Sequence, residues 1–208
     1  LEEDLEISPD FFEYFGAVAP LLDADMQLLC ASAWNDNGQK SHVRDPSALF
    51  RGDFFPGLGW MMNRRIYDEL RTKWPKAYWD DWLREPNQRK DRHIIRPEIS
   101  RTFHYGKNGV SANQFQSDYM DQMRLNTDFV KFGQMDLNYL RSESWDKHFM
   151  NIVDSAQLVT MKEFDELVPK STRQSDLTAN PTGPKQYRVK YKGNAGFERA
   201  ARWVGVMD

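Results

Sequence analysis

Cys30 is the only cysteine in a chain of 208 residues. No internal disulfide can cross-link it, and zinc-type cysteine clusters are excluded. The fold must therefore rest on a packed apolar core. The length suffices to bury one, as one domain or a domain with an appendage. At 40% hydrophobic and 13% aromatic the composition is too apolar for a disordered protein. Cys30 sits in the apolar run Leu28-Leu29-Cys30-Ala31 and reads as an inert buried thiol. Taken alone, the cysteine count suggests a reducing compartment.

Charge narrows the function classes. With 28 basic and 31 acidic residues the formal net charge is -3. No basic surplus points to nucleic acid, and no Lys/Arg block suggests a polybasic membrane anchor. No apolar run of about 18 residues appears, so no bilayer-spanning segment is expected. Leu1-Glu2-Glu3-Asp4 reads as the end of a strand running into acidic residues, as though the sequence starts inside a domain.

Local signals predict a mixed α/β order. Ser8-Pro9-Asp10 opens a helix that carries Phe11, Phe12, Tyr14 and Phe15 and is expected to end near Pro20. Leu28 to Trp34 reads as a buried strand, followed by the turn Asn35-Asp36-Asn37-Gly38. Asp53 to Trp60 reads as a strand and turn with close backbone approach, and Asn63 to Leu70 as a helix. A further helix is expected from Trp74 to Leu83, and a strand from His93 to Ile99 broken by Pro97. Phe103 to Ser111 reads as a mobile loop, with helices following at about Gln116 to Leu125 and Ser142 to Ile152. Ser171 to Lys185 is the clearest linker or exposed loop, before a strand at Gln186 to Lys192 and a helix from Ala195 to about Val204.

Two clusters carry chemistry. Glu2-Glu3-Asp4 offers hard oxygen ligands suited to Mn2+ or Mg2+, although an acidic triplet is also an ordinary solvated run. Trp79-Asp80-Asp81-Trp82 supports two readings: helix-dipole stabilisation beside two core tryptophans, or a general base beside a sugar-stacking platform. Adjacent helical residues point about 100 degrees apart, so only one of the two carboxylates can face a given substrate. Pro56-Gly57-Leu58-Gly59-Trp60 can press its backbone against a ligand or form a tight turn. The loop around Gly106, Gly109 and Ser111 can close over a substrate, and Arg92 can meet a phosphate or serve as surface charge. The four histidines show no metal-ligand spacing, and no Walker-type loop or Gly-x-Ser-x-Gly elbow is present.

Together these segments resemble the N-acetylglucosaminyltransferase I family. The resemblance rests on Glu2-Glu3-Asp4-Leu5-Glu6 with Pro9-Asp10-Phe11-Phe12, on Ser32 to Gly38, and on Asp53 to Trp60. Lys73-Trp74-Pro75-Lys76, Trp79-Asp80-Asp81-Trp82 and Ile95 to Thr102 extend it. Order and spacing match over about Leu1 to Leu125, and the similarity returns near Gln186 to Asp208. The resemblance implies a GT-A fold and an inverting, Mn2+-dependent transferase of the Golgi lumen, held by a type II membrane anchor that lies outside this sequence. The implied reaction moves N-acetylglucosamine from UDP-N-acetylglucosamine in β1,2 linkage to the α1,3-arm mannose of an N-glycan. It also implies residue roles. Asp4 is the expected metal ligand and Asp80 the catalytic base. Glu2 and Glu3 line the donor site, Leu58 and Trp79 pack around the donor sugar, and Arg92 and Ser111 meet the diphosphate.

The expected organisation is a metal- and acceptor-side part at 1–125 and a C-terminal region at 126–208 with a linker near 171–185. Three departures stand out. The family's acidic motif is usually Glu-Asp-Asp, whereas the middle residue here is Glu3. Animal members pair the cysteine matching Cys30 with one at the position of Ile94, a bridge this chain does not have. The family's nucleotide-binding strands precede the acidic motif, so the chain alone is expected to bind UDP weakly and turn over little. Two rival functions remain at this level: a β1,2-N-acetylglucosaminyltransferase acting on protein O-linked mannose, and a non-catalytic glycan-binding fragment.

Overall fold

The computed structural model describes residues 1–106, 120–167 and 187–204. The described chain forms two compact units, Leu1–Gln39 with Val43–Trp145, and Lys40–His42 with Asp146–Asp208.

The first unit is built on a four-stranded mixed sheet. Its strands are β2 (Leu28–Ser32), β3 (Leu49–Gly52), β4 (Trp60–Met61) and β5 (His93–Pro97), in the spatial order β3-β5-β2-β4. The central pair β2 and β5 is parallel, and both edge strands run antiparallel to their neighbours. Pro97 falls at the last paired position of β5, where the missing N–H ends the ladder. A two-stranded antiparallel ribbon pairs β1 (Leu5–Ile7) with β6 (Thr102–His104). Glu3 and Asp4 form a turn, and the acidic residues lead into β1.

Helix α1 (Phe11–Ala24) is longer than its sequence suggests, because it runs through Pro20 to Ala24. A proline inside a helix costs about 3 kcal/mol. Val18, Leu21 and Leu22 lie buried around it, and each buried side chain contributes about 1.5–3 kcal/mol, so burial wins. At the other end Asp10, not Ser8, occupies the cap, and its carboxylate is spent on Arg101 instead of on the helix.

Two apolar clusters flank the sheet. One joins Phe11, Tyr14, Val18 and Leu22 of α1 to Leu28, Ala31, Leu49 and Ile95. The other joins Leu29, Cys30 and Ile94 to Phe55, Ile66, Leu70 and Leu83. A bulge between Leu28 and Cys30 breaks strict alternation, which is how Leu29 and Cys30 come to share a cluster. Cys30 is fully buried, and burial pushes its thiol pKa up, so the inert-thiol reading holds. Its partner in register across the parallel pair is Ile94, the position the resemblance singled out for a bridging cysteine.

The unit continues past residue 125 because Phe132, Leu137, Leu140 and Trp145 complete the α1 cluster. The region between the sheet strands holds α2 (Arg64–Leu70), α3 (Trp79–Arg84) and α4 (Pro86–Arg89). Asn63 caps α2, its side chain accepting from the Ile66 N–H. α3 begins only at Trp79: Trp74 is held extended ahead of Pro75, and Tyr78 is left-handed at φ 52°.

In the second unit β7 (Gln157–Val159) pairs in parallel with β8 (Tyr187–Val189). Helix α5 spans Ser142–Ser155, of which Ser142 to Trp145 belong to the first unit, and α6 (Met161–Leu167) and α7 (Gly193–Val204) lie in the second. Arg188 reaches Asp154 at 2.9 Å. The expected linker near 171–185 lies outside the described residues, as do residues 116–119 of the helix expected at about Gln116 to Leu125. Of the remainder, 121–125 form a turn and two isolated bridges, Met123 with Gln39 and Leu125 with Ser100, in place of a helix. No described helix is long and apolar enough to cross a membrane.

Candidate active site

The turn from Phe55 to Gly59 is the frame of the site. Gly57, Leu58 and Gly59 have φ of 70°, 46° and 86°, three left-handed residues in a row, one of them with a side chain. A leucine there costs on the order of 1–3 kcal/mol and persists only where its surroundings over-determine it. The surroundings do so. Ser32 Oγ donates to Gly57 O at 2.9 Å, Thr102 Oγ1 to Leu58 O at 2.7 Å, and the Ala33 N–H to Gly59 O at 2.7 Å. The Gly59 N–H donates to Glu2 Oε2 at 3.0 Å, which joins the acidic segment to the turn.

Beyond the turn stands a tryptophan cluster. Trp60 stacks on Trp74 at 6.2 Å between ring centroids and leans on Trp79 at 5.4 Å; Trp74 stacks on Trp79 at 6.1 Å. Phe55 meets Trp60 and Trp79 edge-on from the core side. These three indoles, with Leu1 and Glu2, line a cavity of about 360 Å³. Aromatic faces beside a hydrogen-bonding carboxylate suit a sugar ring, which presents C–H groups to one and hydroxyls to the other.

Asp4 lies on the other side of the acidic segment. Its Oδ2 is 2.9 Å from His104 Nε2, across the β1–β6 ribbon. A Cβ on Gly106 would collide with that same carboxylate oxygen and approach His104 Nε2 to 3.1 Å. Among the described residues no three His, Cys, Asp or Glu side chains converge as a metal cage. One hard oxygen ligand suits Mn2+ or Mg2+ where bound phosphate and water complete the shell, so Asp4 fits a divalent ion of that kind. Glu3 is exposed, and its carbonyl accepts from Tyr105 Oη at 3.1 Å.

Asp80 and Asp81 open α3. Arg84 Nη1 contacts Asp80 Oδ2 at 3.2 Å and Asp81 Oδ1 at 2.8 Å. The Asp80 side chain is 42% exposed and that of Asp81 71%, so Asp80 is the more enclosed of the two. Nearby, Trp34 Nε1 donates to Asp36 Oδ1 at 3.2 Å. Burial pushes the Asp36 carboxyl above the usual range, against the opposing fields of Arg84 and Arg96.

The structure brings Glu2, Trp79 and, through the turn, Leu58 together. Asp80 follows directly on Trp79. Arg92 stands apart. Its guanidinium is held by Glu69 at 2.9 and 3.0 Å and by the carbonyl of Gln88, with a side chain only 8% exposed. It lines a different cavity with Met26, Gln27, Arg65, Glu69, Lys90 and Asp91. Its Nε, Nη1 and Nη2 already donate to Glu69 and to the carbonyls of Arg89 and Gln88. Ser111 lies outside the described residues. Sequence reasoning passed over Trp60 and Trp74 as site residues, although both lie in quoted motifs; nothing local distinguishes a wall tryptophan from a core one. It also passed over Arg84, whose i,i+4 spacing from Asp80 is legible, and His104, which is not.

The first unit is therefore a mixed α/β scaffold that sets the Glu2 carboxylate against an aromatic cavity, with Asp80 next in sequence to one of its tryptophans. A family model described as the GNT-I family matches residues 1–208, and the chain belongs to that family. It is similar to the Arabidopsis thaliana alpha-1,3-mannosyl-glycoprotein 2-beta-N-acetylglucosaminyltransferase, at 45% identity over 208 residues. That match covers 100% of this chain and 44% of the relative, so the chain spans less than half the relative's length.

Proposed function

We propose that this chain is the metal- and acceptor-side part of an inverting N-acetylglucosaminyltransferase of GT-A fold that acts on a mannosyl glycoprotein. The single observation that carries the reading is the 45% identity running through all 208 residues to the Arabidopsis thaliana relative. The cavity of Glu2, Trp60, Trp74 and Trp79 supports it. In this reading the donor is UDP-N-acetylglucosamine, the acceptor the α1,3-arm mannose of an N-glycan, and the new bond a β1,2 linkage. The site of action is the Golgi lumen.

The chain's own residues divide the work. Glu2 accepts hydrogen bonds from donor-sugar hydroxyls, and Leu58 and Trp79 close around the ring. Asp80 takes the proton of the mannose 2-hydroxyl as its oxygen attacks the anomeric carbon, and the carbon–oxygen bond to the diphosphate breaks on the opposite face. One displacement inverts the anomeric centre. Asp4 is the residue that would hold Mn2+, and a bound ion supplies positive charge against the departing diphosphate. Most of the donor nucleotide is expected to contact sequence outside this chain, so the chain alone should turn over little.

The test is transfer from UDP-N-acetylglucosamine to a five-mannose N-glycan, with and without Mn2+, by the chain carried within a full-length family protein. Metal-dependent product with a single β1,2-linked residue is the expected result. A folded protein that makes no product on that glycan, yet transfers to O-linked mannose, would reassign the acceptor. No transfer to either would leave the glycan-binding alternative.

A further inference from the structure

Arg84 makes four contacts with one side chain. Its Nη1 reaches Asp80 Oδ2 at 3.2 Å and Asp81 Oδ1 at 2.8 Å. Its Nε donates to the carbonyl of Phe55 at 3.0 Å, and its guanidinium carbon lies 4.9 Å from the centre of the Phe54 ring. The Phe55 carbonyl is the entrance to the left-handed turn that presents Leu58 and Gly59.

An ordinary i,i+4 ion pair on a helix surface ties a helix only to itself. This one also ties the helix to another segment. α3 has six residues and no side-chain cap, and it starts from a left-handed Tyr78. So short an element does little by itself to hold a carboxylate in place. Leu83 and Trp79 anchor one face of it in the core, and Arg84 spans from its other face to the turn.

We infer that Arg84 is a positioning residue for Asp80, clamping that carboxylate to the Phe55–Gly59 turn so that base and donor-sugar wall move as one body. The inference rests on the reading of Asp80 as the general base. The chemistry explains why an arginine is needed. The planar guanidinium offers donors in a fixed fork, so Nε takes the Phe55 carbonyl and Nη1 the Asp80 and Asp81 carboxylates at a set angle, whereas a lysine ammonium has no such fork. A base misplaced by about 1 Å loses on the order of a hundredfold in rate.

The experiment compares Arg84→Ala, Arg84→Lys, Asp80→Asn and the Arg84→Ala/Asp80→Asn double variant in the full-length protein. It reads kcat, donor KM and melting temperature, with and without guanidinium ion well below denaturing concentration. In Arg84→Ala, kcat is expected to fall about 10- to 100-fold with donor KM changed by no more than about twofold. Added guanidinium is expected to restore part of that loss, but none of the loss in Asp80→Asn. The double variant should be no slower than Asp80→Asn alone, because a clamp has no role without its carboxylate.

Full kcat in Arg84→Ala overturns the inference, as does a loss confined to melting temperature and donor KM without guanidinium rescue. If Arg84→Ala fails to fold, Arg84→Lys decides: wild-type kcat overturns the clamp, and reduced kcat at an unchanged melting temperature supports it. Full turnover by Asp80→Asn overturns the base assignment and the clamp together. Loss in Asp80→Asn with full turnover in Arg84→Ala overturns the clamp alone.

Discussion

Arg101 and Asp10 form a two-point ion pair in which neither side chain reaches solvent, with Nε to Oδ1 at 3.2 Å and Nη2 to Oδ2 at 3.0 Å. Asp10 also accepts from Ser8 Oγ and Asn126 Nδ2, and Arg101 donates to the carbonyls of Ile99 and Pro46. The pair thus pins the start of α1 to the chain after β5 and to the segment around Asn126. Arg101→Met would leave a buried carboxylate without its cation. Such breaks cost about 3–5 kcal/mol, so urea unfolding should shift by that order. An unchanged midpoint would show that Ser8 and Asn126 carry Asp10 without Arg101.

Asp80→Asn keeps the shape of the side chain and removes the carboxylate proposed as proton acceptor. Turnover should fall about 10²- to 10⁴-fold while donor binding, measured separately by calorimetry, stays close to wild type. Donor binding lost along with turnover would assign Asp80 to the donor site instead.

Gly106→Ala places a Cβ against Asp4 Oδ2, the far end of a side chain that can swing aside. The melting temperature should therefore hold, while the Mn2+ concentration giving half-maximal activity rises. A variant with unaltered metal response would separate Asp4 from the metal.

Acid should weaken the first unit through two carboxyls. Burial alone would raise the Glu69 carboxyl, but hydrogen bonds from Arg92 and Lys90 bring it from 4.5 down to about 2. Asp25 is likewise lowered: burial opposes the shift, and Arg51 with the Gln27 and Ser142 N–H groups outweighs it. A folded pKa below the unfolded one gives stability that is present above the unfolded value and lost as pH falls through the folded one. Stability should therefore drop as pH goes from about 4.5 toward 2. Glu69→Gln should flatten that slope, and an unaltered slope would exclude Glu69 as a source.

Asp36 has the opposite sign. Its carboxyl is raised, chiefly by burial, so its folded form favours the proton and its contribution is lost as pH rises through the folded pKa. Asp36→Asn keeps an acceptor for Trp34 Nε1 and should raise the melting temperature at pH 7, with a gain that shrinks in acid. A lower melting temperature at pH 7 would mean that the fields of Arg84 and Arg96 outweigh the cost of burial.

Much of the fold was legible locally. The Asn63 cap, the turn closed by Gly38 N–H on Asn35 O and the buried run at Leu28 all depend on residues close in the chain. The misreadings share one cause. Pro20 ends a helix in isolation but not where Val18, Leu21 and Leu22 are buried around it. Trp74 promised a helix that Pro75 and a left-handed Tyr78 postpone to Trp79. In each case a neighbour in space or an unusual backbone angle outweighed the pattern.

The sequence by itself determined the mixed α/β class, the lack of any disulfide within these 208 residues, the family, and the carboxylates and tryptophans from which a site can be made. These follow from composition, spacing and the identities of near neighbours. Only the tertiary structure decided which of them meet. It put Glu2 on the Gly59 N–H, drew Trp60, Trp74 and Trp79 into one wall, set His104 beside Asp4, and spent Arg92 on Glu69. The physical reason is that a side chain's partner is chosen where distant segments pack together, and each donor, acceptor or ring face taken by one neighbour is closed to another.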